Sequence, residues 1–259
     1  MKKEISFPEG VALIVGGTGG IGQAVSKLFS LSGSEVAITY NSNKTKAMEL
    51  QKEFNLSSKK DSIFNLDITK EKEVESILNQ VISLYGRIHT IINCAGFDIK
   101  QELVADLSIK SFQEVIKSDV YGFFNIVNKS IGHMKKQGGS YIFMSSAGLL
   151  KYPPGDILSV APKAAIEELL KGIAKEEGGN NVRANSIALG IVDAGIFHRL
   201  KSQNDSFFDD EWETALMQAL PLKRYAEANE VAELALFLAS NQASYITGQT
   251  IAIDGGYSI

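Results

Sequence analysis

Short apolar runs rich in β-branched residues alternate with stretches of helical spacing along the whole chain. Val11 to Val15 (VALIV) is continuously apolar, as expected of a strand covered on both faces in a parallel sheet. Residues 21–31 follow with helical period. The same alternation predicts further strands at 35–40, 62–66, 88–93, 140–144, 181–188 and 250–253. Helices are predicted at 45–54, 70–84, 111–137, 161–177 and 229–240. In the 70–84 segment Val74, Ile77, Leu78 and Val81 fall on one face. Glycines at 138–139 and 178–179 stop the helices before them. Strands separated by helices imply right-handed βαβ crossovers, so the expected fold is α/β: one Rossmann-type, doubly wound domain over 1–259, with a seven-stranded parallel sheet and helices on both faces. Residues 193–220 break the rhythm. They include an acidic-aromatic stretch from Asp205 to Glu213 and are expected to form a substrate lid, with Trp212, Phe207 and Phe208 as an apolar face over substrate or as packing against the body.

Composition narrows the function. The chain has 259 residues, 44% hydrophobic and 22% charged, which is enough apolar material for a sizeable core. Lys+Arg is 26 against Asp+Glu 30, and no basic cluster occurs, so no nucleic-acid partner is expected. A single cysteine, Cys94, cannot form an internal disulfide or a multi-cysteine zinc site, and it reads as a small thiol packed below the cofactor. His89, His133 and His198 have no partner at metal-ligand spacing, so no metal is expected. His89 and His133 read as structural, and His198 as a possible substrate contact from the lid. No apolar run approaches the ~18 residues of a membrane span and no signal-peptide pattern opens the chain, so a soluble cytoplasmic protein is expected.

The first strand runs directly into Gly16-Gly17-Thr18-Gly19-Gly20-Ile21-Gly22, and a helix follows. Glycines there allow a tight turn and let backbone N–H groups approach a pyrophosphate at the positive end of a helix. Dinucleotide binding by Gly16, Thr18, Gly20, Ile21 and Gly22 is therefore expected. The second strand ends Tyr40-Asn41-Ser42 with no carboxylate to repel a 2′-phosphate, while Asn41, Ser42 and Lys44 can donate hydrogen bonds. NADP (NADPH) is favoured over NAD.

Five ordered features make the chain resemble the short-chain dehydrogenase/reductase family, near its 3-oxoacyl-carrier-protein reductases, over essentially its whole length. They are the glycine turn, Asp67-Ile68 after the third strand, Asn93-Cys94-Ala95-Gly96, the run from Val182 to Gly190, and Ile246 to Gly256. The resemblance implies that Asp67 and Ile68 contact adenine, and that Asn93, Ala95, Gly96, Gly190 and Val192 lie along the nicotinamide side. It also implies a homotetramer or homodimer packed through the 111–137 and 161–177 helices.

The resemblance implies chemistry resting on Asn, Ser, Tyr and Lys, in which the Tyr donates a proton to the carbonyl oxygen, the Lys holds the nicotinamide ribose and lowers the Tyr pKa, and the Ser polarises the carbonyl. Matched to this sequence, the lysine is Lys163, the serine Ser146, with Ser145 its neighbour one residue away, and the helix asparagine is replaced by Asp119. Ser159 stands four residues before Lys163, at the family's tyrosine position, and Leu189 replaces the proline of its Pro-Gly pair. A phenol near pKa 10 can be brought towards neutrality by a lysine, whereas an aliphatic hydroxyl cannot. The arrangement resembles the 2,4-dienoyl-CoA reductases, which carry serine at this position. It implies hydride delivery to a conjugated thioester, with charge developing on an enolate oxygen held by Ser159, Ser146 and the ribose, and Asp119 relaying a proton. The substrate is expected to be a small molecule, with the carrier open between coenzyme A, a carrier protein and none. Two alternatives remain open at this point: a ketone reductase whose acid is Tyr152 or water, and a dinucleotide-binding pseudoenzyme with a regulatory or assembly role.

Overall fold

The computed structural model describes residues 5–56, 61–202 and 209–259. Strands β1 (Val11–Val15), β2 (Glu35–Tyr40), β3 (Ile63–Asn65), β4 (Ile88–Asn93), β5 (Gly139–Ser146), β6 (Val182–Leu189) and β7 (Thr250–Ile253) form one seven-stranded sheet in the order β3-β2-β1-β4-β5-β6-β7. Every pairing is parallel. The order reverses at β1, between β2 and β4, which opens a crevice at the strands' carboxyl ends, the usual place for a ligand in such sheets.

Helices α1 (Gly20–Leu31), α2 (Lys44–Phe54), α3 (Glu71–Tyr85), α4 (Ile109–Val115), α5 (Gly122–Gln137), α6 (Ile157–Glu177), α7 (Ile196–Ser202), α8 (Asp210–Ala219) and α9 (Ala228–Ala239) complete the described structure. Strand β1 shows why its run is continuously apolar. Val11, Leu13 and Val15 face a core with Leu78 of α3, Phe123 of α5 and Ile166 of α6. Ala12 and Ile14 face the opposite core, with Phe29 of α1, Leu50 of α2 and Val231 of α9. A two-residue period places alternate side chains on opposite faces, so a sheet covered on both sides admits no polar alternation.

Two boundaries depart from the sequence expectation. The single helix expected over 111–137 begins at Ile109 and is interrupted by a π-helical stretch, Ile116–Tyr121, between α4 and α5. Apolar period alone does not report such an insertion, because the residues on either side keep their faces. Helix α6 begins at Ile157, four residues before the expected start at 161, and carries Pro162 inside it. The carbonyl of Asp156 accepts from Ser159 N–H at 3.0 Å and Val160 N–H at 2.9 Å, which nucleates the helix upstream of the proline.

His89 is structural. It is 1% exposed, stacks on Phe7 and hydrogen-bonds to the Ser34 and Thr90 hydroxyls at 3.2 and 2.9 Å. Burial, with the charge of Arg87 second, lowers its pKa from 6.5 to about 4. The unfolded chain therefore takes up this proton as pH falls below 6.5, while the native state stays neutral until about 4. Stability is lost across that window, by about 3 kcal/mol in full. His89→Gln is expected to shrink the difference in unfolding free energy, from urea titration, between neutral and mildly acidic solution by that order, and an unchanged difference contradicts this account.

Candidate active site

A cavity of about 1290 Å³ runs along the carboxyl ends of the strands, from the glycine turn to the start of α6. At its nucleotide end the turn crosses from β1 to α1. Gly16 has φ +76°, and a Cβ there would stand 2.7 Å from Ala95 N, so only glycine fits. Gly19 caps α1 without a side-chain hydrogen bond, which leaves the helix's first N–H groups facing the cavity. Gly16, Thr18, Gly20 and Ile21 line the cavity, as do Asn41, Ser42, Asp67, Ile68, Ala95, Gly96, Gly190 and Val192. A bare backbone cradle at a helix N-terminus, with neutral donors where β2 ends, fits a phosphorylated dinucleotide.

Three residues expected at the cofactor are set behind this wall. Gly22 packs against the carbonyl of Gly16, where any side chain would collide, so it shapes the turn from inside the helix. Tyr40 is 8% exposed and belongs to the core beneath the sheet edge. Asn93 is 2% exposed, and its amide reaches the Ala95 carbonyl at 3.4 Å, so it braces the turn that carries Ala95 and Gly96. Cys94 lines the cavity, but burial pushes its thiol up to about 12, so it is not a thiolate at neutral pH.

At the other end Lys163, Ser146, Ser159 and Asp119 all line the cavity. The Lys163 ammonium donates to the Ser159 hydroxyl at 3.0 Å and reaches the Ser159 carbonyl at 3.4 Å, across one turn of α6. The Ser146 hydroxyl accepts from Gly148 N–H at 3.1 Å at the end of β5. Ser145, its neighbour, is 2% exposed and donates to Glu167 of α6 at 2.5 Å, so its hydroxyl is committed to packing β5 on α6. Asp119 sits in the π-helical stretch, 8% exposed, and accepts from Phe97 N–H at 3.0 Å. Burial raises its pKa, against the attraction of Lys163. Burial likewise lowers Lys163, against the charges of Asp119 and Asp156.

The structure adds residues that no sequence pattern indicated. Asp156, at the N-cap of α6, is 9% exposed and lines the cavity. Its carboxylate makes no capping bond and accepts instead from Gln101 Nε2 at 2.9 Å. Tyr257, from the segment after β7, also lines the cavity, with the Lys151 ammonium 5.0 Å from its ring centre. Tyr152 is 48% exposed and is not part of the cavity wall, because the following Pro153 and Pro154 turn the chain inward in its place.

The 193–220 segment forms α7 and α8 over the cavity, with Ile196, Leu200, Trp212 and Leu216 in its lining. Glu213 ties it together. It accepts from Lys201 at 2.8 Å and from the Tyr225 hydroxyl at 2.6 Å. Arg199 of α7 pairs with Asp98 beyond β4. His198 pairs with Asp193 at 2.6 Å, well exposed, and is not in the cavity lining. Phe207 and Phe208 lie outside the described residues.

The family profile described as Enoyl-(Acyl carrier protein) reductase matches residues 15–258. The chain belongs to the short-chain dehydrogenase/reductase family. This dehydrogenase/reductase chain is 33% identical to the 3-oxoacyl-[acyl-carrier-protein] reductase FabG of Thermotoga maritima over 250 residues, 96% of this chain and 98% of that one. It is 32% identical to the protein of the same name from Chlamydia muridarum, over 95% of this chain and 96% of that one. Among solved structures, a short-chain type dehydrogenase/reductase from Mycobacterium ulcerans superposes with a TM-score of 0.89 at 26% identity, covering 98% of this chain and 91% of that one. A short-chain dehydrogenase/reductase from Serratia marcescens gives 0.85 at 25%, covering 99% and 100%. The chain is thus an oxidoreductase by family. Among the described residues no cluster of metal-ligating side chains occurs, and no helix is long and apolar enough to cross a membrane.

Proposed function

We propose that this protein is an NADPH-dependent reductase of 3-oxoacyl thioesters that works without a phenolic acid. One observation carries the proposal: a single cavity joins the glycine turn to the Lys163–Ser159–Ser146 cluster, so a dinucleotide along the sheet edge ends beside those groups. The bound cofactor supplies hydride to the substrate. Lys163 and Ser159 hold the substrate oxygen, and Ser146, whose hydroxyl lies at the end of β5, gives it a second donor. The apolar residues of α7 and α8 suit an acyl chain, and the segment 193–220 acts as its lid. The names of the Thermotoga and Chlamydia relatives support a 3-oxoacyl substrate and a carrier-protein thioester, ahead of the conjugated substrate that the sequence favours. Exposed Ile109, Phe112, Tyr121 and Phe124 on and between α4 and α5 support an association of copies through that face.

A second reading has its own observation. Ser159 in place of the family's tyrosine, with the buried Asp119 nearby, suits reduction of an enoyl or dienoyl thioester, where the developing oxyanion needs donors more than acid. Steady-state NADPH oxidation with matched 3-oxoacyl and 2-enoyl thioesters of one chain length separates the two. Turnover of the oxo substrate is expected, and turnover of the enoyl substrate alone overturns the first reading. Binding of NADPH with no turnover of either supports a dinucleotide-binding pseudoenzyme.

NADPH preference rests on Asn41 and Ser42 at the cavity rim. Asn41→Asp places a negative charge against the 2′-phosphate. At about 4 Å such a repulsion is worth roughly 1 to 4 kcal/mol between bulk water and a protein surface. The ratio of kcat/KM for NADPH over NADH is expected to fall at least about fivefold. An unchanged ratio places the phosphate elsewhere.

A further inference from the structure

The proposed reductase needs a proton for the substrate oxygen, and an unaided serine hydroxyl is too weak an acid to supply it. Asp156 is placed to solve this. It is the residue before α6, where an aspartate ordinarily caps the helix, yet its carboxylate makes no capping bond and is turned into the cavity. It sits among the groups that handle the substrate oxygen. Its carbonyl accepts from Ser159 N–H at 3.0 Å, one helical turn brings both residues to the same cavity wall, and the charge of Lys163 on the same helix favours its carboxylate. Gly148 packs against both groups: a Cβ there would stand 2.9 Å from Val160 Cγ2, 3.1 Å from Ser146 Oγ and 3.2 Å from Asp156 Oδ2, so the two oxygens flank this glycine.

We propose that Asp156 holds the proton taken up by the substrate oxygen and passes it through the Ser159 hydroxyl, which Lys163 orients. This deepens the 3-oxoacyl reading and rests on it. Ser159 Oγ accepts from Lys163 Nζ at 3.0 Å and keeps a second lone pair for the O–H of a protonated Asp156. Its own O–H is then free for the substrate carbonyl. As hydride from NADPH reaches the carbonyl carbon, the C=O π pair takes the Ser159 proton, and the Asp156 proton replaces it on Ser159. The products are NADP⁺, the 3-hydroxy thioester and an Asp156 carboxylate, which solvent reprotonates. Asp156 acts through Ser159, so its role is positional as well as acidic.

Burial and the groups facing Asp156 pull its proton affinity in opposite directions. Gln101, from the loop beyond β4, donates to Oδ1 at 2.9 Å. Tyr257, from the C-terminal segment, has its phenol pKa raised by burial and by the Asp156 charge. Asp119, across Lys163, competes for the same ammonium. Burial outweighs these partners and raises the Asp156 pKa from its ordinary value. The acid form is the active one, so kcat falls as pH rises through the Asp156 pKa.

The test compares wild type with Asp156→Asn, which keeps the shape and the Gln101 contact, and with Ser159→Ala. Folding is checked by circular dichroism and by NADPH binding. Asp156→Asn is expected to lower kcat on a 3-oxoacyl thioester by ~10²–10⁴-fold and to remove the Asp156 limb of the pH profile. Asp119→Asn is expected to keep that limb. Infrared difference spectra of the protein between acid and alkaline pH, needing no turnover, are expected to show a carboxylic-acid C=O band that Asp156→Asn removes. Wild-type kcat and pH profile in Asp156→Asn, or a full rate in Ser159→Ala, sinks the relay and leaves the reductase reading standing. A wild type inert towards 3-oxoacyl thioesters while binding NADPH overturns the reading and the relay together.

Discussion

Lys163→Ala is expected to cut turnover by at least ~10²–10³-fold, the cost of removing a preorganised charge at a developing oxyanion. The lysine has three partners in this fold. It orients the Ser159 hydroxyl at 3.0 Å, and it is the cation that faces both Asp119 and Asp156. Without it Ser159 loses the donor that sets its lone pairs, and both buried carboxyls lose the charge that favours their ionised forms. Their pKa values are then expected to rise further, which favours the neutral carboxyl over a buried charge. For that reason the variant is expected to fold. Weaker binding of the cofactor should accompany the loss, since the family resemblance assigns the lysine to the nicotinamide ribose. Single-turnover mixing with NADPH checks both effects. A variant within about tenfold of wild type would place the proton machinery elsewhere.

Ser159→Tyr is expected to act in the opposite direction. A phenol starts near pKa 10 and is drawn down by an adjacent ammonium, so it gives the carbonyl oxygen an acid of its own. Ser159 sits in the first turn of α6 against a cavity of about 1290 Å³, which leaves room for the ring. Ketone reduction is expected to rise about 10²-fold and to lose its dependence on Asp156, so adding Asp156→Asn should then cost little. If the site is built for a conjugated thioester instead, the tyrosine crowds the enolate pocket. Enoyl turnover then falls with no gain on the oxo substrate.

The sheet and the nucleotide end of the cavity were legible because their signals are local. Five apolar residues in a row mean a strand covered twice, and glycines directly after it mean a turn that a phosphate can approach. The Lys163–Ser159 pair was named by the family resemblance, and the structure explains their contact, since both lie on α6 one turn apart. The expected helix start at residue 161 did not reveal this, since Pro162 argues against helix upstream of itself and the Asp156 carbonyl overrides it.

What sequence did not reveal depends on contacts between distant segments. Asp156 reads as an ordinary helix cap, and only its bond to Gln101, fifty-five positions away, shows that the carboxylate points elsewhere. Tyr257 lies past the last strand and reaches the cavity because the chain after β7 folds back over it. Tyr152, the nearer tyrosine along the chain, is turned out to solvent by two prolines. Residues Gly22, Tyr40 and Asn93 carry a motif's pattern but serve it from behind the cavity wall, which spacing cannot distinguish from contact. The π-helical stretch that presents Asp119 leaves no trace in apolar period, because it adds backbone within a helix whose faces resume after it.

The most direct measurement is product analysis after mixing the purified protein with a 3-oxoacyl thioester and NADPH carrying deuterium at C4 of the nicotinamide. A 3-hydroxyacyl thioester with one deuterium on C3 is the predicted product, formed faster at acid than at alkaline pH. Recovery of the oxo substrate unlabelled, with deuterium entering only the saturated product of a parallel 2-enoyl reaction, would contradict it.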